Sequence, residues 1–103
     1  METVVDLFGR NIEFSGDRWN HACQQHPEIS ELRDYVIEAI EQPDFIKISL
    51  SDKSVCLYYK FYQNVMKGKY ILAVVKTNKR NFLITAYVTD YIKAGEDLWK
   101  RKN

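Results

Sequence analysis

Residues 45 to 89 read FIKISLSDKSVCLYYKFYQNVMKGKYILAVVKTNKRNFLITAYVT. Four runs within them, FIKISL, VCLYYKFY, KYILAVVK and NFLITAYVT, are rich in β-branched and aromatic residues, and the polar segments SDKS, QNVMKG and TNKR separate them. Such side chains pack well on a pleated, half-buried surface and short polar connections join neighbouring strands, so the stretch predicts four antiparallel strands in a meander. Alternation with period two then assigns the faces. In the last run Phe82, Ile84, Ala86 and Val88 fall on one side and Leu83, Thr85, Tyr87 and Thr89 on the other. In the second, Val55, Leu57, Tyr59 and Phe61 alternate with Cys56, Tyr58, Lys60 and Tyr62. Each strand has one side suited to a core and one that mixes hydroxyls, rings and a lysine. The mixed side is either a surface that stacks a base and holds a phosphate or the ordinary solvated side of an antiparallel sheet.

Before Pro43 the pattern is helical. Leu32, Val36, Ile37 and Ile40 mark one apolar face, Ser30 is placed to cap its start, and Pro43 ends it. Further upstream, SGDRWNHACQQH offers Ser15 or Asp17 as a cap and Trp19, Ala22 and Cys23 as an apolar stripe. Pro27 disfavours helical backbone at His26, so this first helix should end near Gln25. TVVDL and NIEF flank FGR and read as a hairpin around Gly9. The prediction is an α+β fold in which an N-terminal hairpin and two helices pack on one face of a four-stranded antiparallel meander sheet. With 103 residues and no repeat or linker, the chain should form a single domain over 1–103 around one shared core.

Apolar content of 46% and charged content of 28% are those of an ordinary globular protein. The longest apolar run, Tyr70 to Val75, is too short to span a bilayer, and METVVDLFGRN lacks a basic segment followed by an apolar one. A cytoplasmic protein with no membrane partner is expected. Cys23 and Cys56 fit no metal-ligand spacing and read as buried free thiols. There is no G-x-S-x-G, Gly-rich phosphate loop or H-E-x-x-H, so neither metal nor cofactor is expected. Charge is uneven: residues 1 to 42 carry three arginines against nine acids, a net −6, and residues 43 to 103 carry twelve Lys or Arg against five acids, a net +7. Lys47 to Arg80 holds eight basic residues with only Asp52 opposing them. Such a region either binds a polyanion through phosphate contacts or is a solvated face of edge-guarding lysines.

Both histidines lie in WNHACQQHPE, residues 19 to 28. Metal-independent RNA cleavage needs a base for the 2′-hydroxyl, an acid for the leaving 5′-oxygen, and donors around the phosphorane, and histidine suits either proton-transfer role. On one regular helix, a spacing of five sets His21 and His26 about 140° apart. The break at Pro27 frees His26 to turn toward the sheet. The structural alternative is a half-buried helical His21 and a His26 that bonds helix-end carbonyls.

The segments DLFGRNIEF, RWNHACQQHPEI, PDFIKISL with LYYKFY, and KYILAVVK with FLITAYVTDYIKAGEDLW, with W-x-H, H-P-E and T-A-Y inside them, cover about residues 5 to 99. In order and spacing they resemble the small phage- and plasmid-associated members of the barnase, EndoU, colicin and RelE-like nuclease superfamily. The resemblance implies a barnase- or RelE-like fold and an RNA-cleaving site between helices and sheet, with His21, His26, Thr85 and Tyr87 at the matching positions. Members of that superfamily usually carry arginine directly before H-P-E where this chain has Gln25, which cannot supply a guanidinium charge. Lys47 or Lys60 would take over that charge.

The sequence thus points to a metal-independent, toxin-type ribonuclease-like domain that cleaves RNA by 2′-hydroxyl attack on the adjacent phosphate. His21 and His26 share acid and base work, Thr85 and Tyr87 position the phosphate or the 2′-hydroxyl, and Lys47, Lys60 and Tyr58 bind substrate. The alternative is a weakly active or inactive module that binds RNA or protein on the same basic, aromatic face. A third reading has acidic helices and basic strands meeting complementary charge on a second copy or on an antitoxin-like partner.

Overall fold

The computed structural model describes residues 2–102. Strands β1 (Thr3–Val5) and β2 (Asn11–Glu13) form an antiparallel hairpin whose turn passes through Gly9 at φ +85°, a conformation that glycine adopts without a Cβ clash. Helix α1 (Gly16–Gln25) is capped by the Ser15 hydroxyl, which accepts from the Arg18 amide at 3.3 Å. Its last turn closes on the His26 amide, which donates to the Ala22 carbonyl. His26 itself sits at φ −137° and ψ 81°, outside the helical region that a following proline disfavours. A 3-10 turn, Pro27–Ile29, then precedes helix α2 (Arg33–Glu41). The expected Ser30 cap is corrected here: Pro27 starts the 3-10 turn, Ser30 closes it with its own amide, and α2 begins after Leu32 with no side-chain cap.

The remaining chain supplies β3 (Phe45–Ser49), β4 (Val55–Tyr62), β5 (Lys69–Thr77), β6 (Asn81–Thr89) and β7 (Gly95–Lys100). All join one seven-stranded sheet of order β1-β2-β6-β5-β4-β3-β7. The predicted barnase- or RelE-like architecture with a four-stranded antiparallel sheet is therefore corrected. The hairpin extends the sheet through a parallel bridge, Glu13 to Phe82, and a seventh strand pairs with β3 at the far edge, so the sheet is mixed.

Helices α1 and α2 cover one face, α1 against β6 and α2 against β5 and β4. The core lies there, built from Ile12, Phe14, Ala22, Ile29, Val36, Ile40, Ile46, Ile71, Val75 and Leu83 among others. Each fully buried Ile or Phe of this set contributes about 1.5–3 kcal/mol of transfer free energy. Two details of register overturn the predicted faces. In β6 the pairing slips between Val74↔Thr85 and Val75↔Leu83, leaving Ile84 as the extra residue of a bulge. Leu83 consequently joins Ala86 and Val88 on the helix side, while Ile84 packs with Tyr87 on the other. In β4 the mixed side, Cys56 to Tyr62, is the one the helices cover. Tyr58 fits there because its neighbours across the sheet are Ala73 and then Ala86, which leave room for a ring.

The phenol of Tyr58 needs a partner in that interior and finds it in the hairpin. It donates to Asp6 Oδ2 at 2.5 Å and accepts from Arg10 Nη2 at 2.9 Å. Arg10 Nε donates to the same Asp6 oxygen at 2.9 Å, and the Phe8 and Arg10 amides donate to the other. Burial alone would raise the Asp6 carboxyl, but these donors outweigh it and hold the group below its ordinary value.

Candidate functional site

The face away from the helices is not bare. Strands β6 and β7 run in the same direction with three strands between them, so residues 90–94 must cross this face to join them. A strap of five residues makes such a crossing only when nearly extended. It is pinned midway, where the Lys93 amide donates to the Tyr59 hydroxyl at 2.9 Å. Burial pushes the Tyr59 phenol up, so it stays neutral as an acceptor. Beneath the strap Val55, Leu57, Tyr59 and Leu72 form a second small core, with Phe45, Tyr70, Val74, Ile84 and Tyr87 packed around it.

Two rows of paired residues run straight across this face. The first is Tyr87, Leu72, Tyr59, Phe45 and Lys100; the second is Thr85, Val74, Leu57, Lys47 and Asp97. The first row continues past the sheet edge into the helical layer, because the His26 ring lies against that of Tyr87 with centroids 4.7 Å apart and planes tilted by 31°. His26 Nδ1 is 3.8 Å from Glu28 Oε2, and that carboxylate accepts from the Val88 amide on the open edge of β6 at 3.5 Å. Lys93 Nζ stands 5.8 Å from the Tyr87 ring centre.

The residues singled out from the sequence therefore divide. His26, Tyr87, Thr85 and Lys47 all reach the strap side, although Lys47 is three strand intervals, about 14 Å, from Thr85. Thr85 Oγ1 is buried there without a hydrogen-bond partner. His21 is exposed on α1 and is not among the groups that meet Tyr87. Tyr58 and Lys60 point to the opposite side. Tyr58 is fully buried with its hydroxyl committed to Asp6, so its ring is not open to a base. Lys60 Nζ donates to the Gln42 carbonyl at the C-terminal end of α2, where a cation favourably meets the helix dipole. Groups that the sequence reading missed are Glu28, Phe45, Tyr70, Lys93 and Lys100. Glu28 was visible in H-P-E. Lys100 was not, because GEDLWK carries too few β-formers to be read as a strand.

The basic stretch is mostly neutralised, by its own Asp52 and by five acids brought from elsewhere. Of its eight cations, Lys47, Lys53, Lys60, Lys69, Lys76 and Arg80 pair with Asp97, Glu96, Asp44, Asp90, Asp52 and Glu13. Among the described residues five lysines, Lys67, Lys79, Lys93, Lys100 and Lys102, have no acidic partner within 4.0 Å, and of these Lys93 and Lys100 belong to the strap and its strand. Next to them an open pocket of about 480 Å³ is lined by Phe45, Lys47, Tyr70, Ile92, Asp97 and Lys100. No group of three or more His, Cys, Asp or Glu among the described residues is arranged to hold a metal ion, and no helix is long and apolar enough to cross a membrane. Comparison with protein-family models, curated proteins and solved structures finds no match.

Proposed function

We propose that this protein is an RNA-binding module that lays a short single-stranded segment across the strap face of its sheet. One observation carries the reading: the rings of Phe45, Tyr70 and Tyr87 gather on that face together with Lys93 and Lys100, neither of which has an acidic partner within 4.0 Å among the described residues. Bases stack on aromatic rings without regard to sequence, and unpaired cations meet the backbone. Two phosphate contacts imply modest affinity with a shallow salt dependence, a slope of about −1.4 in log–log form for single strands. The test is fluorescence anisotropy of a labelled single-stranded RNA and of a duplex of equal length. A single-strand preference that weakens about tenfold between 50 and 300 mM salt and falls further in Lys93→Ala and Lys100→Ala is expected. Equal binding of the duplex, or no effect of either substitution, would refute it.

Metal-independent cleavage of that RNA is a second reading, favoured by the His26, Glu28, Tyr87 and Lys93 cluster. Here Glu28 takes the place expected of His21. One of the His26–Glu28 pair removes the 2′-hydroxyl proton, the 2′-oxygen bonds to phosphorus to give a 2′,3′-cyclic phosphate, and the other group protonates the departing 5′-oxygen. Cleavage in the presence of a chelator that is lost in His26→Ala and Glu28→Gln but kept in His21→Ala supports it. Cleavage that survives His26→Ala removes it.

A further inference from the structure

The pocket beside the strap has more specific chemistry than the face around it. Phe45 stacks on Tyr59 with centroids 4.9 Å apart and planes 19° from parallel. Tyr70 stands on edge to both, 73° from Phe45 and 88° from Tyr59. The result is an aromatic corner: one face of the Phe45 ring is taken by Tyr59, and Tyr70 rises beside it as a wall. A planar ring entering that corner would stack on one partner and meet the other edge to face, the two arrangements that aromatic quadrupoles favour. Ile92 of the strap closes the third side.

The charged rim is asymmetric. Lys47, largely shielded from solvent, donates to Asp97 Oδ1 at 2.8 Å, and this contact keeps the Asp97 carboxylate ionised. Asp97 remains mostly exposed and can accept further hydrogen bonds. Lys100, on β7 opposite Phe45, three strand intervals from Tyr70 and exposed, adds a positive charge with no acidic partner within 4.0 Å among the described residues. A ligand matching all three features has a planar ring, a hydroxyl donor and an anionic group. Its size is also met, since pockets for small ligands run from about 300 to 1,000 Å³.

Resting on the RNA-binding reading, we infer that this pocket is a ribonucleotide subsite: a base in the Phe45–Tyr70 corner, a ribose hydroxyl on Asp97 and a phosphate on Lys100. The 2′-hydroxyl contact makes it a place where the protein tells RNA from DNA. The test is calorimetric titration of the whole protein with AMP, CMP, GMP and UMP, with dAMP, adenosine and inorganic phosphate as controls. Ribonucleotides should bind, dAMP more weakly, and phosphate alone not measurably. Lys100→Glu, at an exposed position where the fold is not at stake, should weaken AMP about fivefold or more while leaving adenosine unchanged, the size of one exposed charge contact. Tyr70→Leu should weaken both.

Failure of all four nucleotides to bind at about 10 mM, a concentration that detects even millimolar affinity, would overturn the subsite. So would AMP and phosphate binding equally, or AMP and dAMP binding equally. RNA binding that is sensitive to Lys93→Ala but not to Tyr70→Leu or Lys100→Glu would remove the subsite and leave the face. Mononucleotide binding without RNA binding would do the reverse.

Discussion

Replacing Tyr58 by phenylalanine removes one oxygen and tests whether this ring is a structural post or a ligand contact. The hydroxyl donates to Asp6 Oδ2 at 2.5 Å and accepts from Arg10 Nη2 at 2.9 Å, and both partners are ionised. Hydrogen bonds to charged groups are worth about 1.5–3 kcal/mol each when measured by deletion. Asp6 keeps the Arg10 Nε contact and two backbone amides in the variant, so it is not stranded. The expected loss is therefore near the lower end, about 2 kcal/mol, or roughly 10–15 °C in Tm for a domain of this size. Urea titration followed by circular dichroism measures it, with an unchanged m-value because the surface exposed on unfolding is the same. The pH dependence has a defined sign. The folded Asp6 carboxyl titrates below its unfolded value near 3.9, so its contribution is complete above that pH and is lost as the pH falls through the folded value. The gap between wild type and Tyr58→Phe should thus be widest above about pH 4 and narrow in acid. A stability change under about 0.5 kcal/mol would refute the network's role. RNA affinity lost at unchanged stability would return Tyr58 to the binding surface.

Three further outcomes follow from particular atoms. Thr85 Oγ1 is buried without a partner, so Thr85→Val, which keeps the shape, should raise stability by about 1 kcal/mol in the same urea titration; a loss of that size would mean that the hydroxyl is satisfied. A Cβ on Gly95 would lie 2.6 Å from the Ile48 carbonyl oxygen, which is backbone and cannot swing away. Gly95→Ala should cost roughly 1–3 kcal/mol and speed hydrogen exchange in β7, whereas Gly16→Ala, with open space around it, should be neutral or slightly stabilising. Asp52 is held at about 2 by the Ser54 hydroxyl and amide and by Lys76, so its carboxyl carbon should titrate near that value by NMR and move up in Ser54→Ala; an ordinary midpoint in wild type would refute the contact.

The four strands of the meander were legible because alternation and β-branched content persist over eight or nine residues in β4, β5 and β6. What escaped was short or carried by few atoms. Strand β7 has a glycine, two acids and a lysine in six residues, and its place in the sheet is set by pairing with β3 and by the packing of Trp99 into the core. The bulge at Ile84 has no signature in a run of uniformly good β-formers, yet it decides that Leu83 faces the helices. The orientation of β4 was equally hidden. A side with Tyr58, Lys60 and Tyr62 reads as the wet one until Asp6, Gln42 and Glu38 are found opposite those three polar heads.

Charge teaches the same lesson in another form. The sequence separates acids from bases along the chain, which in isolation suggests a basic surface for a polyanion. The fold remixes them: Arg80 of the basic stretch meets Glu13 of the hairpin across the β2–β6 junction, and Lys47 meets Asp97 across β3–β7. Because exposed pairs of this kind are individually worth little to stability, their larger effect is on the field. Each cancels a charge that would otherwise attract phosphate, and what survives on the strap face is local to Lys93 and Lys100. A ligand that engages this surface must therefore gain most of its binding energy from the rings of Phe45, Tyr70 and Tyr87 rather than from counterion release. That ordering is why the ring substitutions should matter at every salt concentration and the lysine substitutions chiefly at low salt.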